Sequence, residues 1–179
     1  AGSTKQARVN ALTGSILQLI SVVVLTYLFF QNPQANLSGA MLFESRYAWY
    51  KPLGITVHTG IDGISLSMIL LTSLVVLAGV LVSWTIQKMT KEFFALLLLL
   101  SAGAYGFFIS LDVFAMFFFL ELAVVPKFLL IGIWGSGKKE YSATKLVLML
   151  MGASTLVFIG IAGLYFSVPA SETFSMIAL

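Results

Sequence analysis

The segment 114–134 is a membrane-length apolar run that carries one carboxylate, one proline and one lysine. Glu121 lies near its middle, and Pro126 and Lys127 follow within two helical turns. A charged side chain at the bilayer centre is costly, so it faces protein or water and indicates a functional site. The proline removes one main-chain hydrogen bond, and the carbonyl of Leu122 that it leaves free needs another partner in lipid. We therefore expect a bent helix, packed inside a bundle, with a titratable group at mid-membrane.

The composition of the whole chain is that of a polytopic membrane protein. Of its 179 residues 59% are hydrophobic and 9% are charged, whereas a soluble domain has about 25% charged residues. The chain has no cysteine, which excludes disulfides and thiolate metal sites, and its one histidine, His58, makes no metal cluster alone. No Gly-rich phosphate loop precedes a helix, so we expect no cofactor in this chain. The net charge of +3 lies in short loops, which suits contact with a lipid bilayer rather than nucleic-acid binding.

Apolar stretches of about 20 residues, the length that crosses the hydrocarbon core of a bilayer, occur five times. They predict an all-α transmembrane fold in a single membrane domain over 1–179. Asp62 and Asp112 precede the second and fourth stretches, and we expect them to cap those helices. The fifth stretch follows a short basic connector, so it should lie antiparallel to the fourth. The expected spans are about 11–30, 64–85, 93–109, 113–134 and 141–166.

The connector 31–61 is long and polar, and we expect it to face outward. Its stretch 54–59 alternates between apolar and polar residues and predicts a short strand. Four of its residues are typical of a membrane interface: Tyr47, Trp49, Tyr50 and Lys51.

The basic residues of the loops predict the orientation of the chain. With five spans, the N-terminus and the loops 86–92 and 135–140 fall on one side and should face the cytoplasm, or the matrix or stroma of an organelle. Only Arg46 and Lys51 fall on the other side. The inward group is Lys5, Arg8, Lys88, Lys91, Lys138 and Lys139. The sequence therefore predicts a multi-pass protein of the inner (cytoplasmic) membrane or of an equivalent organelle membrane.

Glu121 and Lys145 are the main candidates for a proton relay within the membrane. Burial favours the protonated form of a carboxyl and a nearby lysine favours the ionised form, so a group held between these effects exchanges protons near neutral pH. Glu121 has a second interpretation, in which it stays protonated and hydrogen-bonds a neighbouring helix. Lys145 lies one turn into the fifth span and also has the length to extend to the interface.

Lys127 and Tyr105 are weaker candidates for the same relay. Lys127 lies six residues after Glu121, which places it about 120° away around a straight helix. It either extends toward the cytoplasmic end or meets a carboxylate on another helix. Tyr105 either packs among small residues or lines a water path. Residues that predict close helix packing are Ser101, Gly103, Gly106, Gly152, Ala153, Gly160 and Gly163.

Three stretches carry a family resemblance: HTGIDGISL at 58–66, SLDVFAMFFFLELAVVPKFLLIGIWGSGKKEYSATK at 110–145 and LMLMGAS at 148–154. Together they closely resemble the M subunit of proton-pumping NADH:quinone oxidoreductase, respiratory complex I. The D subunits of the photosynthetic relatives are similar over the same stretches. The resemblance extends over about residues 5–170.

The resemblance implies an antiporter-like subunit of fourteen transmembrane helices, of which the five here are the second to the sixth. It agrees with the missing initial Met and the apolar C-terminus, from which we expect an internal piece of a longer protein. The essential membrane glutamate of the family corresponds to Glu121, and the lysine that opens its sixth helix corresponds to Lys145. Lys127 departs from the family, whose members usually have an apolar residue there, often Met.

The function implied by the resemblance is proton translocation coupled to quinone reduction. The chain would hold no redox centre and would act as one subunit of a translocase. Its partners would be antiporter-like membrane neighbours and the subunits of a peripheral redox arm. Two alternatives stay open: a subunit of a multisubunit sodium/proton antiporter, and a non-conducting membrane scaffold.

Overall fold

A computed structural model describes residues 4–32, 41–50 and 55–167 of the chain. Five of its helices are long and apolar enough to cross a membrane, which confirms the predicted all-α transmembrane fold with five spans. A two-stranded hairpin lies between the first and second helices. The elements are α1 (Thr4–Gln31), β1 (Leu42–Tyr50), β2 (Ile55–Ile61), α2 (Gly63–Val82, continued by a 3₁₀ turn Ser83–Thr85), α3 (Thr90–Ile109), α4 (Val113–Trp134) and α5 (Lys139–Ser167).

Aspartates cap the N-terminal ends of α2 and α4, as predicted. Asp62 Oδ1 accepts a hydrogen bond of 2.7 Å from the N–H of Ser65. Asp112 Oδ1 accepts from the N–H groups of Phe114 and Ala115, at 2.9 and 3.1 Å. Partial burial opposes ionisation of Asp62, but hydrogen bonds from Ser65 and nearby backbone N–H groups outweigh it and lower the pKa of its carboxyl. Both helix starts are therefore fixed by satisfied backbone donors.

The hairpin pairs β1 and β2 antiparallel, with Arg46 opposite His58. The predicted strand 54–59 corresponds to β2, although Gly54 lies outside the described residues; β1 was not predicted. The backbone N–H of Leu111 donates to the carbonyl of His58 at 2.7 Å, so the hairpin is joined to the turn between α3 and α4. Of the predicted interfacial residues, Trp49 stacks edge-on against the ring of Phe118 at 5.6 Å. Lys51 lies outside the described residues.

Contacts at the opposite end of the bundle join α1, α3, α4 and the loop after α2. Arg8 donates to the carbonyl of Ile86 at 3.0 Å. The indole N–H of Trp134 donates to the carbonyl of Lys88 at 2.7 Å, and its ring lies 5.3 Å from that of Phe93. The structure thus gathers at one end the segments that carry the predicted inward basic residues. The side of the membrane that this end faces stays a prediction.

Glycines bring α3 close to α4, the packing role that the sequence predicts for them. A Cβ at Gly103 would lie 3.0 Å from the Cβ of Ala123, and one at Gly106 would overlap the ring of Phe119. In α5 the expected small-residue face differs, because a Cβ at Gly152 or Gly160 would meet no described atom within 4 Å. Helix α5 packs on α4, as predicted for antiparallel neighbours.

Candidate functional site

Glu121 lies on the side of α4 that faces α5. Phe119 and Ala123 lie against α3, and Glu121 is two residues from each, so it points about 200° away from that contact. Phe117, one turn before Glu121, has its ring 5.7 Å from the ring of Phe158 in α5. The carboxyl is therefore placed at the α4–α5 interface, near the middle of the span.

The Oε1 atom of Glu121 is buried and has no hydrogen-bond partner among the described residues. A buried polar atom without a partner is uncommon in native proteins, because it loses its hydration without compensation. Such an atom calls for an explanation, and a functional role is one of those that apply. The role of Glu121 as a titratable group at mid-membrane stays a prediction. The buried Oε1 atom is the structural observation that supports it.

Pro126 is buried within α4, which continues as one helix from Val113 to Trp134. Since proline has no N–H, the carbonyl of Leu122 lacks its usual helical donor. That carbonyl belongs to the residue after Glu121, so a main-chain acceptor without its helical donor occurs next to Glu121 in the sequence. The bend expected at this proline stays a prediction.

Lys127 lies on a different side of α4 from Glu121. It lines a cavity of about 490 Å³ between α2, α3 and α4 whose walls are mainly apolar, and Glu121 is not among the lining residues. No ion pair joins the two side chains in the part of the chain that the structure describes. The structure therefore does not bring this lysine and the carboxyl together.

Lys145 is exposed on α5, and its Nζ lies 5.9 Å from the ring centroid of Tyr141. Ala143, two residues earlier, is the residue that faces α4, next to Gly132. Lys145 therefore points away from α4. Because Ala143 lies beside Gly132, Lys145 is level with a point on α4 nine residues after Glu121. At 1.5 Å per residue this is about 14 Å along the helix axis from Glu121. The two main candidates are thus well separated.

Tyr105 belongs to a second polar group, formed by α1, α2 and α3. Its hydroxyl is buried and faces the hydroxyl of Ser73, without a regular hydrogen bond to any described residue. One turn earlier, Ser101 accepts a hydrogen bond of 3.2 Å from the amide of Gln18 in α1. This group lies across α3 from the Glu121 carboxyl. The sequence analysis gave neither Gln18 nor Ser73 a role.

The hairpin of β1 and β2 holds a further polar group that sequence reasoning missed. His58 is 3% exposed, with Nε2 at 3.3 Å from the carboxylate of Glu44 and Nδ1 at 3.5 Å from the guanidinium of Arg46. Cross-strand pairing explains the contact with Arg46, which lies directly opposite His58 in the hairpin. Within the described ranges, no three His, Cys, Asp or Glu side chains are placed to hold a metal ion.

Comparison with known proteins gives consistent matches. Residues 110–178 match the family described as "NADH:quinone oxidoreductase/Mrp antiporter, TM". NAD(P)H-quinone oxidoreductase chain 4 of Prochlorococcus marinus (strain NATL1A) is 35% identical over 163 residues, which cover 91% of this chain and 29% of the relative. The chloroplastic chain 4 of Chaetosphaeridium globosum is 34% identical over 149 residues, covering 83% of this chain and 29% of the relative.

Two solved structures share the fold. One is respiratory complex I from Thermus thermophilus with bound NADH, with a TM-score of 0.71 and 20% identity over 98% of this chain and 38% of that chain. The other is the membrane-bound sulfane sulfur reductase, an archaeal respiratory membrane complex, with a TM-score of 0.69 and 21% identity over 88% of this chain and 31% of that chain. This chain spans less than a third of the length of these curated relatives. With five candidate membrane spans, the chain is a multi-pass membrane protein whose residues 110–178 match the family of NADH:quinone oxidoreductase and Mrp antiporter membrane proteins.

Proposed function

We propose that this chain is part of a proton-translocating membrane subunit of an NADH:quinone oxidoreductase, with Glu121 as a proton-relay residue. The observation that carries the proposal is the buried Oε1 atom of Glu121 near the middle of a candidate span, which has no hydrogen-bond partner in the part of the chain that the structure describes. The curated relatives, which are named as chains of NAD(P)H-quinone oxidoreductase, support the coarser assignment.

The position of Glu121 suits proton exchange rather than a fixed structural contact. A carboxyl that served only to join two helices would have its oxygens hydrogen-bonded, since an unsatisfied buried acceptor destabilises the fold. The carbonyl of Leu122, freed by Pro126, provides polarity beside it. Lys145 lies about 14 Å away along the helix axis, so in this proposal it acts at a separate point, nearer the basic end of the bundle.

In the proposal, redox energy comes from partner subunits. Quinone reduction would take place elsewhere in the complex, and this subunit would transfer protons when its partners change conformation. The partners would be neighbouring membrane subunits and the subunits of a peripheral redox arm. The membrane would be the bacterial cytoplasmic membrane or an organelle equivalent, with the basic end of the bundle facing inward.

A second candidate function is supported by the family match, whose description includes Mrp antiporters. In that case the same carboxyl would serve sodium/proton exchange, without quinone chemistry. The two functions differ in their sodium dependence. Proton movement that follows quinone reduction in sodium-free buffer supports the oxidoreductase, whereas movement that requires a sodium gradient supports the antiporter.

The decisive experiment replaces Glu121 in the full-length subunit within its assembled complex. Glu121→Gln keeps the shape and hydrogen bonding but removes titration, so we expect normal assembly with loss of most coupled proton pumping and slower quinone reduction. Glu121→Asp should keep part of the activity. Glu140→Gln is the matched control, because Glu140 is exposed at the start of α5. Full coupled pumping by Glu121→Gln at normal complex levels would contradict the proposal.

A further inference from the structure

One face of α5 packs on α4, and Ser154 is its polar member. Ala143 lies beside Gly132, and the ring of Phe158 lies against that of Phe117. Positions spaced by three and four residues share one face of a helix, and Ser154 falls in this series at 7% exposed. The face consists of Ala143, Val147, Leu150, Ser154, Phe158 and Ile161.

The register of the two helices places Ser154 at the level of Glu121. Gly132 contacts Ala143, and the two helices run antiparallel. Glu121 is eleven residues before Gly132, and Ser154 is eleven residues after Ala143, so the two residues lie at the same level. The contact of Phe117 with Phe158 leads to the same pair, four residues from each ring. Two contacts therefore set the single carboxyl of the α4 face at the same level as the single hydroxyl of the α5 face.

Both groups have unused hydrogen-bonding capacity. The hydroxyl of Ser154 donates to the carbonyl of Leu150 at 2.6 Å, which leaves its lone pairs free to accept. Oε1 of Glu121 has no partner among the described residues. The charged groups nearby do not compete for it, because Lys145 points away from α4 and Lys127 lines the cavity beside α3.

We propose that Ser154 is a positioning residue for Glu121, whose hydroxyl accepts a hydrogen bond from the protonated carboxyl and rotates to donate to the carboxylate. The hydroxyl itself stays neutral and keeps its proton. It holds the carboxyl in the α4–α5 interface in both protonation states, so that exchange does not require a side-chain rearrangement each time. This inference rests on the proposed role of Glu121.

The chain provides a matched control in the next residue. Thr155 makes the same bond to the preceding turn, to the carbonyl of Met151 at 2.7 Å, but it is exposed and off the α4-facing stripe. Ser154→Ala thus removes a hydroxyl that is buried toward α4, and Thr155→Ala removes an equivalent hydroxyl that is exposed. Ser154→Thr keeps the hydroxyl at the interface and serves as the rescue variant.

The experiment uses the full-length subunit in its assembled complex and two measurements. The first is the rate of coupled proton pumping, and the second is the carboxyl C=O band of Glu121 in a pH-induced infrared difference spectrum, assigned by its loss in Glu121→Gln. We expect Ser154→Ala to slow pumping about two- to tenfold, the factor for one hydrogen bond of ordinary strength, and to shift the band. Ser154→Thr should restore both properties, and Thr155→Ala should change neither.

Each outcome decides the inference. An unshifted band in Ser154→Ala, with pumping equal to that of Thr155→Ala, overturns it while the role of Glu121 stands. Equal losses in Ser154→Ala and Ser154→Thr without a band shift indicate packing alone and also overturn it. Full pumping by Glu121→Gln contradicts the proposed function instead. If Ser154→Ala does not assemble, Ser154→Cys, which keeps the volume with a weaker donor, is judged by the same two measurements.

Discussion

Replacing Gly106 with alanine tests how closely α3 packs on α4. A Cβ at this position would overlap the ring of Phe119, because the two helices approach each other at the glycine. Glycine-to-alanine in a helix interior normally stabilises by up to about 1 kcal/mol through backbone entropy. Adding a methyl group to a tightly packed contact has the opposite effect and destabilises by about 1–3 kcal/mol.

The structure indicates which effect is larger. Phe119 also lines the cavity between α2, α3 and α4, so its ring has space to move. We therefore expect an overpacking cost of about 2 kcal/mol, which exceeds the gain in backbone entropy and leaves a net loss of about 1 kcal/mol. Gly152→Ala is the matched control, because a Cβ there meets no described atom within 4 Å. The free energy of unfolding of Gly152→Ala should rise by the backbone-entropy gain alone.

The assay is denaturant or thermal unfolding of the full-length subunit, with both glycine variants measured alone and in a Phe119→Leu background. A double-mutant cycle then isolates the contact between Gly106 and Phe119, since neighbouring residues give non-additive changes. We expect Phe119→Leu to remove most of the difference between the two glycine variants. If Gly106→Ala is as stable as Gly152→Ala in both backgrounds, the close contact is refuted.

Four further predictions concern other parts of the chain. Cysteines introduced at Gln87 and Ser136 should react only with a thiol reagent that reaches the inner side of the membrane. Labelling of either cysteine from outside intact cells would contradict the predicted orientation. Lys127→Met should leave coupled pumping nearly unchanged, because this lysine lines the cavity rather than the α4–α5 interface. Asp62→Ala should lower the free energy of unfolding by about 1 kcal/mol at pH 7. Because the folded-state pKa of Asp62 is lowered, that difference should be complete above about pH 3.8 and shrink as the pH falls through the lowered value. Tyr105→Phe should not reduce coupled pumping, which is measured beside the wild type at equal complex levels.

The spans and caps were predictable because lipid and backbone chemistry dictate them locally. Each spanning helix must be apolar over about 20 residues, and an aspartate before such a run satisfies free N–H groups. Which of the five helices pack against one another was not predictable in detail. Spanning helices are apolar on all sides and carry no apolar stripe that indicates a partner. Strand β1 was also not predicted, although it pairs with the next strand in a hairpin.

The candidate site shows the same division between local and distant information. The buried carboxyl, Pro126 and the offset of Lys127 from Glu121 follow from residue type and helix geometry, and all were visible in the sequence. That Glu121 faces α5, and that Ser154 lies opposite it, depends on the register of two helices. A serine in an apolar span has no special signal, because serine commonly bonds to its own helix.

The close contact between α3 and α4 separates two polar regions of the bundle, and this separation constrains the path of a proton. Gly103 approaches Ala123 so closely that a Cβ there would lie 3.0 Å from the Cβ of Ala123 and 3.2 Å from the carbonyl of Phe119, which leaves no space for a water molecule between the backbones. The cavity beside this contact has mainly apolar walls, and Glu121 is not among its lining residues. Tyr105 and its neighbours lie on one side of this barrier and Glu121 on the other. If Glu121 relays protons as proposed, we therefore expect them to reach and leave it along the α5 side of α4.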